Sequence, residues 1–159
     1  QMLRLSKLAN SDEEAREKLK KALNSGKGLE KLRAMIHELG GDETLLTPEG
    51  MDTLCHVKRH VEVTAEQDGY VVGMQAELIG RAAQVLGAGR ATKEDVIDPA
   101  VGLVRQKRVG DKIEKGEAFC TLYVNDEKNL EDAITTMYEA VHIGAKPDHV
   151  PPMVYGVIR

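Results

Sequence analysis

Rings are scarce in this chain. Its 159 residues include no Trp, one Phe and four Tyr, too few to build a surface that stacks bases. An excess of positive charge is missing too. Lys and Arg number 22 against 26 Asp and Glu, a formal net charge of -4, so no broad basic face can follow a phosphate backbone. Both shortages argue against nucleic acid as a partner. Two Cys, at positions 55 and 120, are too few for a disulfide framework and read as free thiols in a reducing, cytoplasmic setting. No apolar run is long enough to span a bilayer, and no basic-then-apolar leader is visible, so no membrane partner is expected. The first residue is Gln rather than Met, which reads as a piece of something longer.

What is present describes an ordinary globular chain. Hydrophobic residues make up 42% and charged residues 30%, and the length suffices for one core with a small satellite unit. Met2, Leu3, Leu5 and Leu8 form a helix-like stripe with no cap in front of it. Ser11 followed by Glu14 is a capping box, in which the hydroxyl accepts an amide and the carboxylate reaches back. Behind it Ala15, Leu19, Ala22 and Leu23 share a face, Glu14 and Lys18 form an i,i+4 pair, and Gly26 stops the helix. Leu29, Leu32, Met35, Ile36 and Leu39 repeat at helical spacing before Gly40-Gly41. Residues 1–46 therefore read as a helical segment. Residues 47–56, opening on Thr47-Pro48-Glu49-Gly50, read as a connector.

Residues 57–159 mix both periodicities. Val57, Val61 and Val63 alternate with polar residues as a strand does, and Asp68-Gly69 predicts a tight hairpin turn into Tyr70-Val71-Val72. Ala76 to Leu86 has the broad apolar face of a helix, with Gly87 as its left-handed stop. Thr92 and Asp95 form a weaker capping signature for one further turn, Lys93 to Ile97, broken by Pro99. Val101–Val104 and Ala118–Val124 read as strands, with turns at Gly110-Asp111 and Gly116-Glu117. Asn129–Val141 returns to helical spacing, and Val141–Ile143 and Met153–Ile158 read as two closing strands around a Pro147–Pro152 loop. Helices first, then a mixed domain, make an α+β protein.

Three constellations invite a chemical reading. Cys55, His56 and His60 are metal-ligand types, but the alternating valines call for a strand, where positions four apart lie roughly 13 Å from each other. Gly87-Ala88-Gly89-Arg90 resembles a loop that offers amides and a guanidinium to a phosphate. Its glycines follow a helix rather than opening one, however, so a helix stop at Gly87 and a turn at Gly89 account for them without a ligand. Val109 to Glu117 resembles the hairpin of lipoyl and biotinyl carrier domains, yet Glu127 separates Asp126 from Lys128 where a carrier lysine would need its motif. His37, His142 and His149 have no partner at ligand spacing. No Ser-His-Asp set, paired-carboxylate motif or Walker-type loop emerges, so no catalytic, cofactor-binding or metal residue is nominated.

The run from Leu86 to Gly102, LGAGRATKEDVIDPAVG, is the most specific stretch, and with it the chain resembles the C-terminal domain of the pyrimidine-nucleoside and thymidine phosphorylases, the nucleoside phosphorylase II family. The likeness is sharpest over 69–117 and softer over Asn10–Arg16 and between Gly26-Lys27 and Leu39–Asp42. It lapses over 43–63, and Arg105-Gln106 depart from an apolar residue and a His. The resemblance implies an α/β-hammerhead-like domain with a barrel-sandwich-type hairpin over 57–159, preceded in 1–46 by the end of an α/β lobe. It implies a homodimeric parent enzyme that phosphorolyses uridine or thymidine to free base and (deoxy)ribose 1-phosphate. Phosphate would be its co-substrate, with catalytic residues, base selection and a potassium-type cation site all upstream. The chain alone is then expected to be inactive, its partners being the missing lobes. Gly87, Gly89, Arg90, Thr92 and Lys93 become candidates for a closure loop, with Arg90 and Lys93 reaching the opposite lobe. The alternative is a free-standing lipoyl- or biotinyl-like carrier, which would show a covalent mass increment on Lys128.

Overall fold

A computed structural model describes residues 1–159 apart from Asp52, Cys55, Asp148 and Arg159. The chain divides into two compact units, Gln1–Leu54 and Cys55–Arg159.

The first unit is helical: α1 (Met2–Leu5), α2 (Asp12–Asn24), α3 (Lys27–Glu38), a 3-10 turn at Glu43–Leu46 and the single turn α4 (Pro48–Met51). Ser11 caps α2 by accepting from the Glu14 amide at 3.1 Å. The Glu14 carboxylate reaches back one residue further than a capping box requires, to the Asn10 amide at 2.8 Å. It also holds Lys18 at 2.7 Å. Pro48–Met51, read from the sequence as part of a connector, is helical because Pro suits a first helical position, where no amide is needed. Ala15 is buried, but Leu19, Leu23, Leu32 and Met35 remain exposed along the apolar stripes of α2 and α3.

The second unit holds β1 (Arg59–Thr64), β2 (Gly69–Met74), α5 (Ala76–Ala83), β3 (Gly102–Arg105), β4 (Lys112–Ile113), β5 (Ala118–Val124), α6 (Leu130–Ala140) and β6 (Val141–Gly144). They form two three-stranded antiparallel sheets, ordered β1-β5-β3 and β4-β2-β6. The architecture is α+β. Strands β3 and β5 pair with Leu103 opposite Leu122, and the segment between them crosses to lay β4 against β2, with Lys112 opposite Tyr70.

Two strand expectations are corrected. β1 and β2 do not form a hairpin: Val63 pairs with Cys120, and Val71 with Ile143 in the other sheet. Separate sheets let Val63 and Val71 bury in one core, which a local hairpin turn does not decide. Asp68 accepts from the Lys115 amide at 2.7 Å, and Gly69 opens β2 without a positive φ. The second correction concerns Met153–Ile158, which has strand composition but pairs with no described strand.

Phe119, Ile113, Leu122, Met137, Val63, Val71, Val124 and Cys120 are the largest fully buried side chains. Small residues, Ala82 on α5 and Ala133 and Ala140 on α6, let these two helices approach closely against that core. Tyr138 of α6 lies edge-on to Phe119 at 5.9 Å and donates its hydroxyl to the Thr64 carbonyl at 3.1 Å. An aromatic with a polar tip thus joins helix to sheet.

Truncating Leu122 to Ala removes buried atoms from the middle of a central strand. It is expected to cost about 2–5 kcal/mol, read as a lower urea midpoint with unchanged slope. Burial pushes the Cys120 thiol up to about 11. Iodoacetamide at pH 8 should therefore leave Cys120 unmodified in the folded chain and alkylate it in urea, as peptide mass mapping would read.

Candidate functional site

The loop that leaves α5 is built from polar side chains turned onto backbone. After Ala83 the helix widens into a π turn, Gln84–Ala88, inside which Gly87 takes φ +107°. A left-handed backbone of that kind suits glycine, because a β-carbon would crowd the following carbonyl. Gly89 is different. Its sequence context predicts a turn residue, but its backbone is extended (φ -149°, ψ 169°), and its smallness serves a close approach. A β-carbon at Gly89 would stand 3.3 Å from Gln84 Cγ, and the same Gln84 donates its amide to the Arg90 carbonyl.

The loop is then fastened from within. Asp95 accepts from the Ala91 and Thr92 amides, each at 2.8 Å, and from Thr92 Oγ1 at 2.9 Å. The sequence placed Thr92 as the capping acceptor. Here the carboxylate accepts and Thr92 donates twice, and only a short turn at Lys93-Glu94 follows. The amide and then the hydroxyl of Thr92, with the Ala91 amide, hold the Asp95 carboxyl below its usual range.

At the base, the Asp98 amide donates to the Gly87 carbonyl at 3.0 Å and closes the loop. The Asp98 carboxylate accepts from Asn125 Nδ2 at 2.7 Å and from the Ala100 amide at 2.9 Å, ahead of β3. Asn125 foremost, then Ala100, lowers its pKa. Asn129, just before α6, donates to the Val85 carbonyl at 3.3 Å. Gln84, Asp98, Asn125 and Asn129 were not singled out from the sequence. Only Asp98-Pro99 carried a local signal, since Asp before Pro favours a turn.

The exposed parts are what this frame presents. The side chains of Arg90 and Lys93 are exposed and make no hydrogen bond or ion pair among the described residues. Val96 is 90% exposed beside them. An open depression of about 390 Å³ lies between Gln84, Gly89, Ala91, Asp95, Val96 and Asn129. Two cations and an apolar residue on a braced loop can meet an anionic or carbonyl-rich surface. The hydroxyl and carboxylate that do share hydrogen-bond reach, Thr92 Oγ1 and Asp95 at 2.9 Å, are spent on fastening the loop itself.

His60 lies on β1, edge-on to Tyr123 at 4.6 Å, and Cys55 lies outside the described residues. Among the described residues no group of three or more His, Cys, Asp or Glu is placed to hold a metal. Lys128 sits where β5 passes into α6, its amide donating to Asp126 at 2.9 Å. A carrier lysine needs a tight turn between two strands, and here a helix follows.

Because the Asp95 pKa is depressed, its contribution to loop order is present above the ordinary carboxylate value of 3.8 and is lost as pH falls through the lowered one. The Ala91 and Thr92 amide resonances should therefore hold their folded positions at pH 5 and move only in stronger acid. Asp95→Asn should shift both at neutral pH.

Residues 70–144 match the family model described as "Pyrimidine nucleoside phosphorylase C-terminal domain". Over 157 residues the chain is 41% identical to the pyrimidine-nucleoside phosphorylase of Geobacillus stearothermophilus. It is 40% identical over 158 residues to that of Bacillus subtilis (strain 168), and 39% over 160 to that of Staphylococcus aureus (strain USA300). Each match takes in 99% of this chain and 36% of the relative, so the chain spans about a third of the length of the curated relatives it matches. By name those relatives are enzymes. Residues 70–144 thus form a pyrimidine nucleoside phosphorylase C-terminal domain, and the chain around them is similar to about a third of the curated enzymes of that name.

Proposed function

We propose that this chain is the part of a pyrimidine-nucleoside phosphorylase that supports the catalytic lobes and closes their cleft, without itself performing chemistry. In the reaction of such an enzyme, a phosphate oxygen bonds to C1′ of uridine or thymidine as the C1′–N1 bond breaks. The base leaves with the electron pair and takes up a proton, and (deoxy)ribose 1-phosphate remains. The residues that hold phosphate, polarise the base and bind a potassium-type cation belong, in this reading, to polypeptide outside the chain. So does the dimer contact.

The observation that carries the proposal is the braced loop from Gly87 to Asp95. Its backbone is tied by Gln84, Asp95 and Asp98, while the side chains of Arg90 and Lys93 make no hydrogen bond or ion pair among the described residues. Ordering a loop beforehand lowers the entropy cost of docking it, so a pre-fastened loop with exposed cations suits repeated closure. Arg90 donates in a planar fork to carboxylate or carbonyl oxygens of the facing lobe, and Lys93 adds a charge beside it. Gly87 and Gly89 permit the turn and the close contact that aim them. Excluding water from the cleft would strengthen every electrostatic contact made to the transferred phosphate.

Phosphorolysis of uridine and thymidine by the mass-verified 159-residue chain and by the full-length enzyme checks the whole reading. The chain is expected to be silent and the full-length enzyme active. Arg90→Ala in the full-length enzyme should lower kcat/KM about 10- to 100-fold, the worth of one charge-assisted hydrogen bond. Unchanged kcat and KM would remove the closure role. Turnover by the short chain would place a complete site within it.

A further inference from the structure

Beyond β6 the chain does something that the rest of the second unit does not. Val150 is seated over the β3–β4 connection, so close to Gly110 that a β-carbon there would stand 2.6 Å from Val150 Cγ2. Pro151 and Pro152 follow; they donate no amide and stiffen the chain into an extended course. Met153 to Ile158 then runs clear of the domain. Met153 is 86% and Tyr155 84% exposed, and Val154, Val157 and Ile158 are exposed with them. No backbone hydrogen bond ties 153–158 to any other described residue.

The composition contradicts that isolation. Met, Val, Tyr, Val and Ile are strand formers, and both faces of such a segment gain by leaving water. Of this unit's outer strands β1, β3, β4 and β6, it is β4 that follows the Gly110 turn on which Val150 sits. It is only two residues long, and its outward carbonyl, on Lys112, already accepts the Lys107 ammonium at 2.9 Å. An edge closed by a lysine does not take another strand. Past a fixed anchor and a stiff spacer, the segment is thus exposed and pairs with no described strand of its own domain.

We infer that residues 153–158 dock as an added β-strand on a sheet edge of the polypeptide that lies outside this chain in the full-length enzyme. The occupant follows from length. The matches to the relatives take in 99% of this chain, so the segment lies within them, while the chain spans only 36% of each relative. Most of each relative is thus polypeptide that this chain does not contain. Backbone pairing would supply affinity and alternate side chains the register, as in other strand-addition interfaces. The inference rests on the reading of the chain as part of a phosphorylase. It fastens the domain to the catalytic lobes at a point remote in sequence from the helical unit.

Hydrogen–deuterium exchange of the peptides covering 150–158 tests it, in the 159-residue chain and in the full-length enzyme. The expected result is free-chain exchange in the former and exchange about 100-fold slower in the latter. Alternate amides of an added strand face the edge. Of Val154→Pro and Tyr155→Pro in the full-length enzyme, one should therefore abolish the protection and the other leave it. Equal rates in the two proteins would overturn the inference, and so would equal effects of the two prolines, which signal burial without pairing. Protection in the short chain that grows with concentration would also overturn it, by making a second copy the occupant. The exchange readout does not use activity: a full-length enzyme that fails to cleave nucleosides sinks the functional reading alone, and unprotected amides sink only this one.

Discussion

The second unit depends on β5. Ala118–Val124 lies between β1 and β3 and supplies Phe119, Cys120, Leu122 and Val124 to the core, so both its hydrogen-bonding edges and its buried side chains are committed. A strand paired on both sides and carrying bulk cannot slip register without exposing that bulk. Its partners come from distant parts of the chain. Val63 meets Cys120, and Leu103 meets Leu122. The crossing between β3 and β5 sends Ile113, fully buried, into the other sheet, so the two sheets are stitched by one excursion. α5 and α6 then lie on the core through alanines and Met137.

The loop after α5 is the product of that frame. Helix α5 delivers Gln84, the approach to β3 delivers Asp98, the end of β5 delivers Asn125, and the start of α6 delivers Asn129. Four segments thus place polar groups around one turn. Each spends its side chain on backbone or on a neighbouring side chain, which leaves Arg90, Lys93 and Val96 as the presented surface. Asp95 works differently, because its acceptors and donors all lie within the loop. The loop is therefore both self-bonded at its tip and held at its base. That combination separates it from an ordinary exposed connection, whose backbone groups would be left to water.

Apolar surface is distributed unevenly along the chain. Leu19, Leu23, Leu32 and Met35 are exposed in the first unit, and Met153, Val154, Tyr155, Val157 and Ile158 after β6, whereas the strands and helices of the second unit bury most of theirs. Scattered exposed leucines are common, but runs of them at helical or strand spacing are surfaces awaiting cover. Strand composition without a paired strand, and amphipathic helices without a covered face, describe a chain whose local preferences assume more protein than it contains.

Local rules determined much of this molecule from sequence alone. The spacing of Leu130, Ala133, Ile134, Met137, Tyr138 and Val141 specified α6. The apolar run Ala118–Val124 specified β5, Ser11 and Glu14 opened α2, and Gly87 supplied the left-handed break in the π turn that follows α5. These signals act within a few residues, where backbone sterics and capping hydrogen bonds decide the outcome. The run from Leu86 to Gly102 also carries, in sequence alone, the likeness to the pyrimidine-nucleoside phosphorylases. Tertiary structure alone decided which strands pair. Asp68-Gly69 permits a hairpin, but burying Val63 and Val71 in one core stabilises the sheets more than the turn does. Tertiary structure also decided that Gly89 is extended rather than turned, because Gln84 folds back over it to reach Arg90. It alone brought Asn125 and Asn129 to the loop, since residues 27 and 44 positions away carry no mark in sequence of the carboxylate or carbonyl they will meet. Helix and strand follow from neighbours along the chain; the choice of partner follows from competition for one buried volume, which no short window of sequence records.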